Sequence, residues 1–238
     1  MATGFNVVLG AAGQTGLECV KRLLVVSDLP TRAVVRDTAK LAGALEPSDK
    51  LQIVQGDVTN PVSLREVLQG ARGVIFAAAG KGYWSAADVD FKGVQNLAEV
   101  AKDVGVERVV LVSSMLVTRK HWLHPMRIIL NNVRFSLMDN KLKGEDALRN
   151  SGIDYTIVRP GGLGNGAGGQ CTFVTGQGDL MPLGNINRAD VAAVCVEALT
   201  NPGAKDITLE LTAKPGLPEE GYEAGLKSLW KGLSPGVH

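Results

Sequence analysis

The sequence predicts an α/β fold, a doubly wound parallel sheet, and three observations carry that reading. Short apolar runs alternate with segments of helical periodicity from the first residues onward. Several runs, such as Gly73-Val74-Ile75-Phe76-Ala77-Ala78, are apolar without alternation, as a parallel strand covered on both faces must be. The first run, Phe5 to Leu9, passes directly into Gly10-Ala11-Ala12-Gly13-Gln14-Thr15-Gly16 and then into a helical stretch over 17–26. At 238 residues the chain fits one large domain, and a second full domain is not expected.

The elements follow in order. Strand 5–9 and helix 17–26 lead to buried strands at 32–35 and 51–54, the latter ending at Gly56-Asp57. Asn60-Pro61-Val62 opens a helix to about residue 68, with Pro61 in the first turn, where its missing N–H costs nothing. After the strand at 73–78, Val89, Val94, Leu97, Val100 and Ala101 recur at helical spacing and predict a helix over 88–104, ended by Gly105 before a strand at 109–112. Segment 119–137 is basic, contains His121, Trp122, His124 and Pro125, and reads as a loop with a short helix or a lid. A helix over 141–150 precedes the β-branched strand 155–158, which runs into Arg159-Pro160-Gly161-Gly162 at the sheet edge where open α/β folds place ligands. Glycine-rich 164–169 reads as a mobile loop, 171–174 as an edge strand, 188–199 as a helix and 207–211 as the last strand. Tyr222, Leu226, Leu229 and Trp230 predict an amphipathic terminal helix over about 219–233. Segments 119–137 and 164–183 are expected to form a small substrate-side subregion on a single Rossmann-like domain spanning 1–238.

Composition narrows the function classes. A formal net charge of +1 gives no electrostatic case for nucleic acid or an anionic membrane as the main partner. Cys19, Cys171 and Cys195 are far apart and lack CxxC spacing, and no His and carboxylate set has metal-ligand spacing, so neither a disulfide framework nor a metal site is expected. No apolar run approaches the roughly 20 residues of a membrane helix, and the first strand begins too early to leave a signal peptide, so a soluble protein is expected.

The glycine stretch is the candidate binding site. A buried strand that runs through glycines into a helix N-terminus points backbone N–H groups and the helix dipole at phosphates, which is how a dinucleotide pyrophosphate is held. On this reading Gly10 makes the tight turn, Gly13 lets the phosphates approach, Gln14 and Thr15 are cofactor-binding candidates within the turn, and Gly16 packs helix on strand. The residue after the second strand separates the two dinucleotides: a carboxylate there suits a ribose hydroxyl, an arginine the 2′-phosphate. Val35 is followed by Arg36, so NADP(H) is expected over NAD(H), against the alternative of a solvated arginine paired with Asp37.

Gly10 to Gly16, Val35-Arg36-Asp37, Gly56-Asp57-Val58, Val112-Ser113-Ser114, the run from Gly152 to Leu163 and Arg188-Ala189-Asp190-Val191-Ala192 together resemble the atypical short-chain dehydrogenase/reductases, specifically the NmrA-like NAD(P)-binding group. The match extends in order to about residue 211. The resemblance implies that Asp57 and Val58 lie near the adenine, that Ala77, Ala78, Ala79 and Gly80 follow the dinucleotide, and that Asn96 supports the central strands. It further implies that Lys141 reaches the nicotinamide ribose and that Pro160, Gly161 and Gly162 border the nicotinamide. Relatives of this group are frequent in photosynthetic organisms, so a chloroplast stroma location, after removal of a transit peptide, stands beside a cytoplasmic one.

One departure bears on catalysis. Orthodox members of the superfamily place a tyrosine acid four residues before the lysine, and here that position is Leu137. Tyr83, Tyr155 and Tyr222 have no lysine four residues on, so the dyad is absent rather than shifted. Ser113 and Ser114 end a strand where the family's serine is found, and Ser114 is the candidate to touch substrate beside Lys141. Tyr83, Trp84, His121 and His124 are candidates for the pocket outside the dyad. Two readings remain: an NADPH-dependent oxidoreductase acting on a small organic substrate, and a non-catalytic NADP(H)-dependent redox sensor or assembly/regulatory factor with a protein partner.

Overall fold

Eight strands form the central sheet of the computed structural model, which describes residues 4–80 and 82–238. In chain order the strands are β1 (Phe5–Leu9), β2 (Thr31–Val35), β3 (Leu51–Gln55), β4 (Ala71–Phe76), β5 (Arg108–Val112), β6 (Tyr155–Pro160), β7 (Gly162–Gly164), β8 (Cys171–Gly176), β9 (Asn185–Asn187) and β10 (Ile207–Pro215). The α-helices are α1 (Gln14–Val26), α2 (Pro61–Leu68), α3 (Val94–Asp103), α4 (Pro125–Val133), α5 (Leu137–Arg149), α6 (Arg188–Ala198) and α7 (Tyr222–Ser228). The sheet order is β3-β2-β1-β4-β5-β6-β10-β8; its pairs are parallel except β10 with β8, while β7 and β9 form a separate parallel pair. This is the Rossmann-like, doubly wound α/β fold.

Both faces of the sheet are covered, which explains the unbroken apolar runs. Neighbours along one strand serve opposite cores: Val8, Ile75 and Val110 pack with α1 and α6, whereas Val7, Val74 and Val109 pack with α2 and α3. The strand order reverses between β1 and β4. The chain goes from β1 outward through β2 and β3, then returns to the other side of β1, so the loops after β1 and β4 meet at the crevice where ligands bind in open α/β sheets.

Several expectations are corrected. The helix expected over 88–104 begins as a π-helical segment, Ala87–Gly93, before α3. Helix α5 starts at Leu137 rather than residue 141, and the terminal helix is confined to Tyr222–Ser228 although Leu226, Leu229 and Trp230 are buried as expected. The loop at 164–169 is not free. Gly164 ends β7, Gly166 N–H donates to Asn187 Oδ1 at 3.1 Å, and Gly169 N–H donates to Asp190 Oδ1 at 2.8 Å. Strand β8 belongs to the main sheet, so only part of 164–183 stands apart from it. The three cysteines are buried and free.

Under the C-terminal ends of β6 and β10 lies a group of charges with almost no contact with water. Arg159 makes a bidentate pair with Glu145 on α5, at 3.1 and 2.7 Å, and its other terminal nitrogen lies 3.8 Å from Glu210 on β10. Arg149 donates to the same Glu145 at 2.6 Å. Glu210 in turn accepts from the N–H groups of Asp179 and Leu180, and the Asp179 carboxylate accepts from Leu116 and Thr118. Burial pushes the Glu145 carboxyl up, but Arg159 and Arg149 outweigh it and hold the group below its ordinary value of 4.5. Its stabilising contribution is therefore present above that value and lost as pH falls through the folded-state value. Glu145→Gln is expected to destabilise the fold by roughly 3–5 kcal/mol at neutral pH, since it removes the carboxylate that Arg159 and Arg149 share and leaves the buried Arg159 only its longer contact with Glu210. In urea unfolding, the gap between variant and wild type should narrow as the pH is lowered below about 4.5.

Candidate functional site

The glycine turn is shaped by close approach of two loops. Gly10 has φ +83°, a backbone region that L-residues rarely adopt, and a Cβ there would lie 2.6 Å from the Ala78 backbone. Gly16 has its missing Cβ against the Gly10 carbonyl, so helix and strand pack directly. Gly13 differs. It is the N-cap of α1 with extended backbone, and a Cβ there would have Gly10 O at 3.2 Å and Ala77 O at 3.8 Å as its nearest neighbours. No side chain caps this helix start and no acid stands in its first turn, which leaves the N-terminal N–H groups at Gln14 and Thr15 facing outward with the positive end of the helix dipole.

A cavity of about 110 Å³ opens beside this turn. Gly10, Ala12 and Gly13 form one wall, Val34 to Asp37 with Lys40 a second, Gly56 to Val58 a third, and Ala77 to Ala79 with Val89 the floor. The sequence-derived candidates Arg36, Asp57, Val58, Ala77, Ala78 and Ala79 are thus brought together with the glycine turn. Arg36 is exposed at the wall and has no salt bridge among the described residues. Asp37 does not pair with it: its carboxylate accepts from Ala39 N–H at 3.1 Å, capping the turn Thr38–Leu41. Asp57 likewise caps its own turn, accepting from the N–H and hydroxyl of Thr59, while remaining part of the cavity wall. Asn96 donates to the Val58 carbonyl at 3.2 Å, so it supports the loop after β3 rather than the central strands.

Lys141 lies at a second, smaller recess lined by Phe76, Ala78, Leu111, Val112, Ser113 and Asp90. Its ammonium is 2.9 Å from Asp90 Oδ1, and Asp90, itself 3% exposed, accepts from Gly80 N–H through its other oxygen at 3.1 Å. Gly144, one helical turn after Lys141, has its missing Cβ against the Asp90 carbonyl, and this lets α5 come close enough for the pair to form. Asp90 was not among the sequence candidates, yet it had a signal. It stands at helical spacing with Val94, Leu97 and Ala101, a carboxylate on the buried stripe.

The remaining candidates are dispersed. Ser114 donates to the Met115 carbonyl at 3.0 Å and does not line the recess; Ser113 does, with a buried hydroxyl that has no hydrogen-bond partner. Leu137 is buried against Ala86 and Met138. Pro160 is buried, and Gly161 and Gly162 lie along Gly184, with Gly162 N–H donating to its carbonyl at 2.8 Å; none of the three lines either cavity. His124 caps α4, accepting from Met126 N–H, and His121 Nε2 lies 2.6 Å from the Asp179 carbonyl. Tyr83 and Trp84 are exposed, meet each other edge-on, and both pack tilted against Phe135. No cluster of potential metal ligands occurs among the described residues.

Comparison with known proteins bears on this arrangement. The profile of the family described as NAD(P)H-binding matches residues 10–202. An uncharacterized chloroplastic protein of Arabidopsis thaliana is 36% identical over 224 residues, covering 91% of this chain and 79% of that protein. Sanguinarine reductase of Eschscholzia californica is 30% identical over 250 residues, covering 87% of this chain and 88% of the reductase. In fold, the chain superposes on the oxidoreductase ylbE of Lactococcus lactis with a TM-score of 0.77 at 20% identity, over 94% of this chain and 95% of that one.

The Gly13 geometry gives a direct test. Extended backbone accepts a side chain, but a Cβ would crowd the Gly10 carbonyl at 3.2 Å, so Gly13→Ala should lower the thermal unfolding midpoint modestly while adding a methyl group at the cavity wall. Calorimetric titration is expected to show dinucleotide affinity reduced by about 5- to 150-fold, the effect of overpacking by 1–3 kcal/mol.

Proposed function

The chain belongs to the NAD(P)H-binding family and, within it, to the NmrA-like atypical short-chain dehydrogenase/reductases, and from that premise we propose that it is an NADPH-dependent oxidoreductase acting on a small organic substrate. One observation carries the cofactor choice. Arg36 stands at the cavity wall with no carboxylate partner among the described residues, because Asp37 is committed to its own turn. A guanidinium in that state is available to a 2′-phosphate and has no counterpart use for a bare ribose hydroxyl.

The residues present fit the dinucleotide. The side-chain-free backbone at Gly13 and the uncapped start of α1 at Gln14 and Thr15 would hold the pyrophosphate, and Arg36 the 2′-phosphate. Asp57 and Val58 would border the adenine, Ala77 to Gly80 the length of the cofactor, Lys141 the nicotinamide ribose, and Pro160, Gly161 and Gly162 the nicotinamide. When bound, NADPH supplies a hydride. The chain's own residues then have three tasks. Asp90 fixes the Lys141 ammonium and, through Gly80 N–H, the loop after β4. Ser113, whose hydroxyl lines the recess beside Lys141 and also lies next to the Glu145 carboxyl, is the serine placed to meet a substrate oxygen. The apolar surroundings of Leu137 leave no acid where the superfamily's tyrosine stands, so the balancing proton comes from water.

That same leucine favours a second reading, a non-catalytic NADP(H)-dependent redox sensor or assembly/regulatory factor, for which binding alone suffices. For the compartment, the chloroplastic label of the Arabidopsis relative supports the stroma over the cytoplasm.

Arg36→Ala is expected to weaken NADPH by about 10- to 100-fold, the worth of a charged hydrogen bond of roughly 1.5–3 kcal/mol, and to leave NADH nearly unchanged. Equal losses for both would refute the NADP(H) assignment. Following NADPH absorbance against aldehydes, quinones and enones separates the two readings: turnover that survives Leu137→Ala and is lost in Lys141→Ala supports the enzyme, and tight binding without turnover supports the sensor.

A further inference from the structure

Helix α4 is built inside out. Its buried position is Arg127, 2% exposed, which donates to the carbonyls of Leu116 and Val117 and pairs with Asp139. Its outward stripe is apolar: Met126, Ile129 and Val133 recur at helical spacing and are 45%, 52% and 65% exposed. Trp122 and Leu123, in the preceding turn, are exposed by 69% and 67%. Phe135 carries the apolar surface on to the exposed rings of Tyr83 and Trp84.

The charges around this surface have one sign. Between Leu116 and Leu137 the chain holds Arg119, Lys120, Arg127 and Arg134 and no Asp or Glu. Arg119 is exposed, Arg134 half-buried, and neither has a salt bridge among the described residues; Lys120 donates to the Gly178 carbonyl. The acids flanking this segment are committed, Glu107 to Arg72, Asp139 to Arg127 and Glu145 to Arg159, and Asp179, which bonds to the segment itself, is held by Leu116 and Thr118. The whole-chain charge of +1 conceals this local excess.

We propose that this face docks peripherally on an anionic lipid surface, with Trp122, Leu123, Met126, Ile129 and Val133 entering the headgroup boundary and Arg119, Lys120 and Arg134 meeting the phosphates. A short helix with an exposed apolar stripe, tryptophan beside it and unpaired cations at its ends has the chemistry of an interfacial anchor. The same charges disfavour a symmetric pairing of two copies, which would set the basic ends against each other. The helix is far too short to span a bilayer, so the contact is reversible and does not require a membrane-crossing segment.

Flotation with vesicles of phosphatidylcholine alone, and of phosphatidylcholine mixed with phosphatidylglycerol, tests the proposal on the full chain. Binding is expected only to the anionic vesicles and should weaken as salt is raised, with a blue shift of tryptophan emission. Ile129→Asp should abolish it, and Arg119→Glu or Arg134→Glu should each weaken it by at least about fivefold. All three should retain NADPH affinity, since none lines the dinucleotide cavity. Failure of wild type to float with anionic vesicles overturns the proposal, as does equal flotation of Ile129→Asp. A concentration-dependent dimer in light scattering that Ile129→Asp abolishes, without vesicle binding, overturns it in favour of self-association.

Discussion

A guanidinium with no exposure to water sits beneath the ligand-binding edge of this sheet, and much of the site takes its position from the way that charge is answered. Arg159, next to last in β6, has Glu145 on one side and Glu210 on the other. Removing either charge alone would strand its partner, so the network tolerates few intermediate arrangements. Through Glu145 it fixes the rotation of α5 about its axis, and Lys141 lies one turn earlier on that helix. Through Glu210 and Asp179 it fixes the segment that follows β5, where Leu116 is held at φ +63° with its N–H on Asp179 and its carbonyl on Arg127. Backbone strain of that kind, of order 1–3 kcal/mol, persists only where surrounding bonds over-determine it.

The sheet and the convergence of residues around the larger cavity were legible because each rests on local sequence. Unbroken apolar runs follow from burial on both faces, and the turn from Gly10 to Gly16 lies within one β-turn-α unit. Arg36 and Asp57 end neighbouring strands, so their convergence follows from topology alone. The smaller recess at Lys141 was less legible, because it depends on contacts between distant segments. The choice of Ser113 over Ser114 at the recess depends on how the chain leaves β5. The carboxylate facing Lys141 comes from residue 90, brought there by the close approach of α5 that Gly144 permits. The loop at 164–169 looked mobile from its glycines, yet Asn187 and Asp190 satisfy its backbone from more than twenty residues away.

Residues 119–137 escaped sequence reading for another reason. Periodicity marks the apolar face of a helix and assigns it to the interior, but α4 turns that face outward and buries its arginine. The inversion follows from the loop after β5, whose carbonyls at Leu116 and Val117 need donors that only a long cationic side chain supplies there.

The π-helical segment Ala87–Gly93 acts as a phase adjuster between two rigid bodies. An α-helix turns about 100° per residue, and each residue accommodated in a wider turn resets the angular register of what precedes it. The carboxylate at position 90 must face α5 while Val94 and Leu97 face the sheet, and the widened turn reconciles the two demands. Length changes within this family should therefore be far less tolerated between Gly80 and Val94 than in the surface loop between β2 and β3. A single deletion there would disengage Asp90 from Gly80 and Lys141 together without touching the glycine wall of the larger cavity.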